Sequence, residues 1–191
     1  MDKGLAEIDI RIVSESDFTE LMKEYEHKFY EEVSGLNIPI LISEPEREKL
    51  IKLNKNYSDN LTLCLKITDK SNNFIGWFYG DQLDRLTFTM HSSFIAPDHR
   101  QKGVYSKTLD FVINWAQEKG FVKINSNHST TNNPIIISKL KKGFTIQGVH
   151  LNDRFGMTVD LIYYLNKNLK KVNHFRATSK EPSQLILDAF K

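Results

Sequence analysis

Ile95-Ala96-Pro97-Asp98-His99-Arg100-Gln101-Lys102-Gly103-Val104-Tyr105-Ser106 is the stretch that decides the fold. Before it, Arg85 to Ile95 is the longest strand-like run in the chain. After it, Leu109, Val112, Ile113 and Ala116 recur at i, i+3, i+4 and i+7, which predicts an amphipathic helix, and Gly120 ends it as a left-handed cap. The stretch is therefore a strand-to-helix connection. A helix start presents unpaired N–H groups and about half a positive charge, so it attracts anions. Gly103 permits close approach of the main chain, and Arg100 and Lys102 add fixed charge. On the residues alone two readings stand side by side: an anion site, and a plain connection with a solubilising basic turn. A P-loop needs a Gly-Lys pair and an earlier glycine, and the dinucleotide fingerprint needs more than the lone Gly103. Both are excluded.

On the N-terminal side, Ile8, Ile10 and Ile12 alternate as a short strand, and Phe18, Leu21, Met22, Tyr25 and Phe29 follow helical spacing behind Ser14 and Ser16. Gly35 to Pro39 breaks that pattern. Ser43-Glu44-Pro45-Glu46 reads as a capping box opening a second helix to about Asn54. Leu61 to Thr68, Phe74 to Tyr79 and Arg85 to Ile95 then read as an antiparallel meander. On the C-terminal side, Phe121 to Asn127 is a strand, and Asn133-Pro134 opens a helix whose buried stripe is read as Ile136, Ile137 and Leu140. Lys141-Lys142-Gly143 closes it, and Phe144 to His150 and Gly156 to Leu165 are two more strands. A strand-helix-strand-helix-strand half needs a parallel pairing somewhere, whereas the first half is antiparallel. The expected fold is α/β (α+β): a mixed, mostly antiparallel seven-stranded sheet with helices on both faces. Residues 1–166 form one domain, and 167–191 a partly helical tail that packs on the domain or on a second subunit.

At 191 residues the chain suits one domain with a sizeable core. A net charge of +2, without a concentrated basic face, does not call for nucleic acid. The run Lys167 to Lys171 reads as a solvated tail. Cys64 is the sole cysteine, which excludes an intramolecular disulfide and fits a reducing compartment. No apolar run approaches the roughly 18 residues of a membrane span, and Met1 to Val13 lacks the apolar core of a signal peptide. The expectation is a cytoplasmic protein without nucleic-acid or membrane partners.

The run Arg-x-x-Gly-x-Tyr at Arg100 to Tyr105, after Ile95-x-Pro97 at a strand end, resembles the acyl-CoA loop of the GNAT acetyltransferase superfamily. Asn132-Asn133 before the next helix and Lys141-Lys142-Gly143-Phe144 at its end continue the resemblance, and the element order matches over about residues 6 to 166. The resemblance implies an N-acyltransferase that moves an acetyl group from acetyl-CoA to a primary amine, small molecule or peptide, by direct attack in a ternary complex. It also implies a V-shaped opening between the fourth and fifth strands. Pantetheine would bond main-chain groups around Phe94 and Ile95. The pyrophosphate would rest on the amides of Gln101, Lys102, Gly103, Val104, Tyr105 and Ser106, beside Arg100. Asn133 would contact the pantetheine arm or an ordered water; the residue reads equally as a helix cap. The loop from Gly35 to Leu41 lies where such enzymes grip acceptors. A homodimer stays open.

Two positions depart from the pattern. Tyr105 stands where Gly or Ala is usual, with its side chain expected to turn away from the phosphates. Lys139 stands where many members carry the tyrosine that acts as an acid toward the leaving thiol. That substitution keeps a second reading alive, a catalytically silent acyl-CoA-binding sensor or interaction module.

Acyl transfer to an amine needs a base, because an amine of pKa about 10.4 is mostly protonated at neutral pH. His91 is the first candidate, read as sharing a face with Thr89 and Ser93 on the strand leading to the loop; a hydrogen-bonded residue on a half-polar strand is the other reading. His128 follows the fifth strand, and Tyr164 lies on the last. His150 is read near Asp153. No histidine pair has zinc-ligand spacing and Cys64 stands alone, so no metal is expected.

Overall fold

The computed structural model describes residues 7–30, 43–54, 60–178 and 183–188. Element order is β1 (Ile8–Ile12), α1 (Glu15–Tyr30), α2 (Glu44–Asn54), β2 (Thr62–Asp69), β3 (Phe74–Gln82), β4 (Thr87–Ile95), α3 (Val104–Glu118), β5 (Lys123–Ser129), α4 (Asn133–Lys142), β6 (Thr145–Asn152), β7 (Gly156–Tyr164), α5 (Lys167–Thr178) and α6 (Gln184–Asp188). A single 3₁₀ turn, Pro97–His99, stands between β4 and α3. The Gly35 to Pro39 break, and the acceptor loop placed there by resemblance, lie outside the described residues.

Local chemistry sets the helix starts. Ser14 Oγ accepts from the amide of Asp17 at 3.1 Å, capping α1. Glu46 reaches back to the Ser43 amide at 2.9 Å, so the capping box forms as read. The run Lys167 to Lys171, read as solvated tail, is the start of α5, which lies against β7.

The sheet has seven strands in the order β1-β2-β3-β4-β5-β7-β6. Every pairing is antiparallel except β4 with β5, which run parallel. Both faces are covered. On one, Phe78, Phe88, Met90, Ile124, Val159 and Leu161 pack with α3 through Leu109, Val112, Ile113, Trp115 and Ala116. On the other, Trp77, Phe94 and Cys64 pack with Phe18 and Leu21 of α1. At ~1.5–3 kcal/mol for each large side chain fully buried, these two layers hold the sheet between the helices.

Two readings need correction. The buried stripe of α4 is not Ile136, Ile137 and Leu140: Ile137 and Leu140 are 51% and 40% exposed, and Lys139 is fully buried. Ile136 does pack on the core. The helix is turned so that its lysine, rather than its outer apolar residues, faces the sheet. Secondly, β4 does not alternate evenly. Tyr79 pairs with Ser92 and Gly80 with Met90, so His91 is an extra, unpaired residue in a β-bulge. The bulge shifts the period, and Ser93 lies on the opposite face from His91.

A split sheet as the candidate active site

The parallel ladder between β4 and β5 is short. It runs from Thr87 opposite Lys123 to Met90 opposite Ser126, and there it stops. Beyond that row β4 stays paired with β3 as far as Ile95, and β5 stays paired with β7 as far as Ser129. The two strands therefore part at Met90 and Ser126, leaving a wedge between them. A cleft of about 560 Å³ occupies the open side, walled by Ser93, Phe94 and Ile95 from β4 and by Asn132, Pro134, Ile135 and Ser138 around the start of α4. Its mouth is the turn before α3. Of the residues assigned to the cofactor from sequence, all but Lys102 and Asn133 line this cleft.

The turn is built to leave main-chain donors open. Gln101 and Gly103 both sit at positive φ, 58° and 77°, and Gly103 caps α3 from the left-handed region. Residues alternating into that region aim successive N–H groups at one concavity. Among the described residues, no amide from Gln101 to Ser106 makes a main-chain hydrogen bond of good geometry; the first that does is Lys107, to Gly103 at 3.1 Å. Arg100 plays a different part from the expected free cation. Its Nε donates to the Ile95 carbonyl at 2.8 Å and its guanidinium stacks over Phe94 at 5.9 Å, which ties the turn back onto β4.

The β4 edge divides its donors. The Ala96 amide donates to the Ile75 carbonyl at 2.8 Å. By the two-residue alternation of antiparallel pairing, Phe94 spends its main-chain groups on Trp77, and Ser93 and Ile95 turn theirs toward the wedge. Since the Ile95 carbonyl is taken by Arg100, its amide is the free group. Of the two residues expected to offer main-chain groups there, Ile95 turns toward the wedge and Phe94 does not, while Ser93 does.

The ring of Tyr105 packs into both core clusters on the α3 face, and its hydroxyl is buried without a hydrogen bond of good geometry, beside Ser93. Burial raises that phenol above its ordinary pKa. Asn133 is exposed and off the cleft; Asn132 caps α4 with its main chain and lines the wall instead.

His91, His128 and Tyr164 do not line the cleft, and they do not converge. His91 is the first residue of β4 past the split. It bonds Asp81 Oδ1 through Nε2 at 2.7 Å and stacks on Tyr79 at 5.6 Å, on the α1 face. His128 faces α4, with Nε2 2.9 Å from Ser126 Oγ. Burial and the neighbouring Lys139 push its pKa down to about 3. Tyr164 accepts from Gln147 Nε2 at 2.5 Å at the closed end of the sheet, opposite Lys123. His150 bonds Asp160 at 2.9 Å, not Asp153. Among the described residues, no cluster of His, Cys, Asp or Glu could hold a metal.

Sequence reading named Lys139 as a substitution and missed it as a site. The signal was available: a lysine three residues after Ile136 on one helical face, in a position where solvent was assumed.

The site is thus a mixed sheet split between its two parallel strands, with a turn of left-handed residues at the mouth of the split. The family model described as Acetyltransferase (GNAT) family matches residues 18–144, and the chain belongs to that family. Solved structures agree on the fold. The yncA acetyltransferase of Salmonella typhimurium with acetyl-CoA is 16% identical with a TM-score of 0.60, over 84% of this chain and 95% of that one. The dodecameric spermidine N-acetyltransferase of Vibrio cholerae is 16% identical with a TM-score of 0.60, over 86% and 97%. The IAA acetyltransferase of Bacillus cereus is 13% identical with a TM-score of 0.58, over 83% and 100%. No curated protein matches the sequence. Among the described residues, no helix is long and apolar enough to cross a membrane.

Proposed function

We propose that this acetyltransferase takes its acetyl group from acetyl-CoA and passes it to a primary amine by direct attack while both are bound. The observation that carries this reading is the run of amides from Gln101 to Ser106, open at the mouth of a cleft that leads to a split in the sheet. A diphosphate satisfies such donors and the α3 dipole together. The chain of amides in pantetheine suits an unpaired strand edge, and Ser93 and Ile95 offer one. The thioester then lies toward the point where β4 and β5 part.

Attack at that point needs little covalent help. Held geometry supplies much of the acceleration, and a strand amide facing the wedge steadies the developing oxyanion. The acceptor arrives as an ammonium, so one proton must leave before attack. His91 takes that proton in this scheme; in support, it is the first residue past the split, exposed, and bonded to Asp81. His128, neutral at pH 7 and a weak base, and Tyr164, at the far end of the sheet, are supporting residues in this scheme.

Thermal shift tests the donor. Acetyl-CoA at a hundredfold excess over Kd stabilises by about 2.7 kcal/mol, or roughly 5 to 11 °C for a domain of this size. ATP, which also carries phosphates, gives no comparable shift. Thiol release with a panel of primary amines, spermidine among them, tests the reaction. Acetyl-CoA binding without thiol release from any amine would turn the assignment to a silent acyl-CoA-binding module, the reading that the lysine at position 139 supports. No binding at all would reject the proposal.

A further inference from the structure

A second proton remains in any such transfer, and the fold holds an unexplained buried group beside the row where β4 and β5 part. Lys139 is fully buried on the face of α4 that meets the sheet. Its Nζ donates to Ser126 Oγ and to Met90 Sδ, the latter at 3.3 Å. Those two residues form the last paired row of β4 and β5, so the amine sits at the closed end of the wedge. Its chain neighbour Ser138 lines the cleft.

Among the described residues, no acidic group bonds the amine to balance a charge. The other groups that face it are the Phe144 ring at 5.0 Å and, through Ser126, the imidazole of His128. Tyr163 of β7 lies behind Phe144, and Tyr105 of α3 packs in the same cluster. Asp110 of α3 is engaged by Lys142 at the far end of the helix. No carboxylate bonds Lys139 among the described residues, and an unpaired buried ammonium costs far more than a neutral amine. Burial alone drives its pKa well below 10.5. A neutral amine has two hydrogens and one lone pair. Ser126 and Met90 take the hydrogens, and Ser126 is held in turn by His128 Nε2. The lone pair stays free to receive a proton.

The geometry points to Lys139 as a neutral amine stationed at the closed end of the β4–β5 split, where it carries the second proton of the transfer from the acceptor nitrogen to the departing sulfur. The step rests on the proposed acetyl transfer and balances as follows. The acceptor nitrogen bonds the acetyl carbon and gives a proton to Nζ, which becomes an ammonium. The carbon–sulfur bond breaks, the sulfur leaves as thiolate, and the ammonium returns the proton to it. With a lowered pKa, that ammonium is a stronger acid than an ordinary lysine and suits a thiolate of pKa about 8.5. Ser126 and His128 are positioning residues.

Lys139→Met keeps the approximate length of the side chain and removes the base, and Lys139→Arg introduces a fixed cation without a usable lone pair. Three readouts separate chemistry from packing. First, the Lys139 side-chain ¹⁵N signal, assigned by its loss in Lys139→Met, reports a neutral amine at pH 7; an ammonium signal overturns the proposal whatever the activity. Second, both variants bind acetyl-CoA with parent affinity by calorimetry, while kcat with spermidine or another accepted amine falls by roughly 10²-fold or more and KM changes little. Third, the acid limb that protonation of Lys139 gives the parent kcat profile disappears in Lys139→Met. Parent kcat and profile in Lys139→Met overturn the carrier alone. A parent protein that neither binds acetyl-CoA nor releases thiol overturns the transfer reaction and the carrier with it.

Discussion

Lys139 would be a surface residue if α4 were turned outward, and its burial changes the protein's response to pH. Its folded pKa is lowered, so between that value and 10.5 the unfolded chain holds one more proton than the native one. Stability therefore rises with pH across that window. Lys139→Met is expected to be more stable than the parent at pH 7, with the gap narrowing as pH approaches 10.5; urea midpoints at pH 7 and 9.5 check this. His128 acts in the acid range with the same sign. Its pKa is about 3 folded and 6.5 ordinarily, so the unfolded chain again holds the extra proton. Stability falls as pH drops from about 6.5 toward 3, and His128→Gln should flatten that fall in acid titrations followed by circular dichroism. Gly103, at a φ of 77°, sits where a side chain strains the turn and blocks the anion. Gly103→Glu should abolish the acetyl-CoA thermal shift and leave far-UV circular dichroism unchanged; a full shift in that variant rejects the site.

At the scale of elements, β4 does most of the positioning. Its bulge aims His91 at one face and Ser93 at the other, and its last residues form the cleft wall. This strand depends on close packing against β3 at Gly76. A methyl group there would come within 2.3 Å of the Phe94 carbonyl oxygen and 2.9 Å of Ile95 Cδ1. Main chain cannot yield cheaply, so Gly76→Ala should lose about 1–3 kcal/mol in chemical denaturation and weaken acetyl-CoA binding besides. Unchanged stability and affinity would show that the β3–β4 contact does not shape the wall. The helix α4 illustrates how sequence and structure part. Gly143 ends it as read, with φ at 101°, whereas the cap at its start is the main chain of Asn132 and not the side chain of Asn133. Its rotation was misread, because Ile137 and Leu140 suggested an apolar stripe that the sheet does not use.

For the whole molecule, what was legible follows from what is local. Alternation, caps and turn glycines marked every strand and helix of the core, and the one parallel pairing followed from the order of elements. The loop of Arg100 to Ser106 was legible because a helix start binds anions by its main chain, whatever the side chains are. Arg100 bracing Ile95 was not, and neither was the Ser126–Lys139 contact, since both join residues that only the folded sheet brings together. The bulge was hidden for a similar reason: an extra residue in a strand leaves no mark in a run of Thr, Met, His and Ser. The overall design is a sheet that stops pairing midway, with a glycine turn and cleft on the α3 side, His91 on the α1 face, and a buried lysine where the strands part.

Amide ¹H–¹⁵N spectra recorded during a titration with coenzyme A would decide whether the main chain before α3 holds a diphosphate. Saturable shifts at Gln101 through Ser106, with Ser93 and Ile95 moving in parallel, are the expected result. Binding that leaves those amides still while shifting others across the molecule would contradict it.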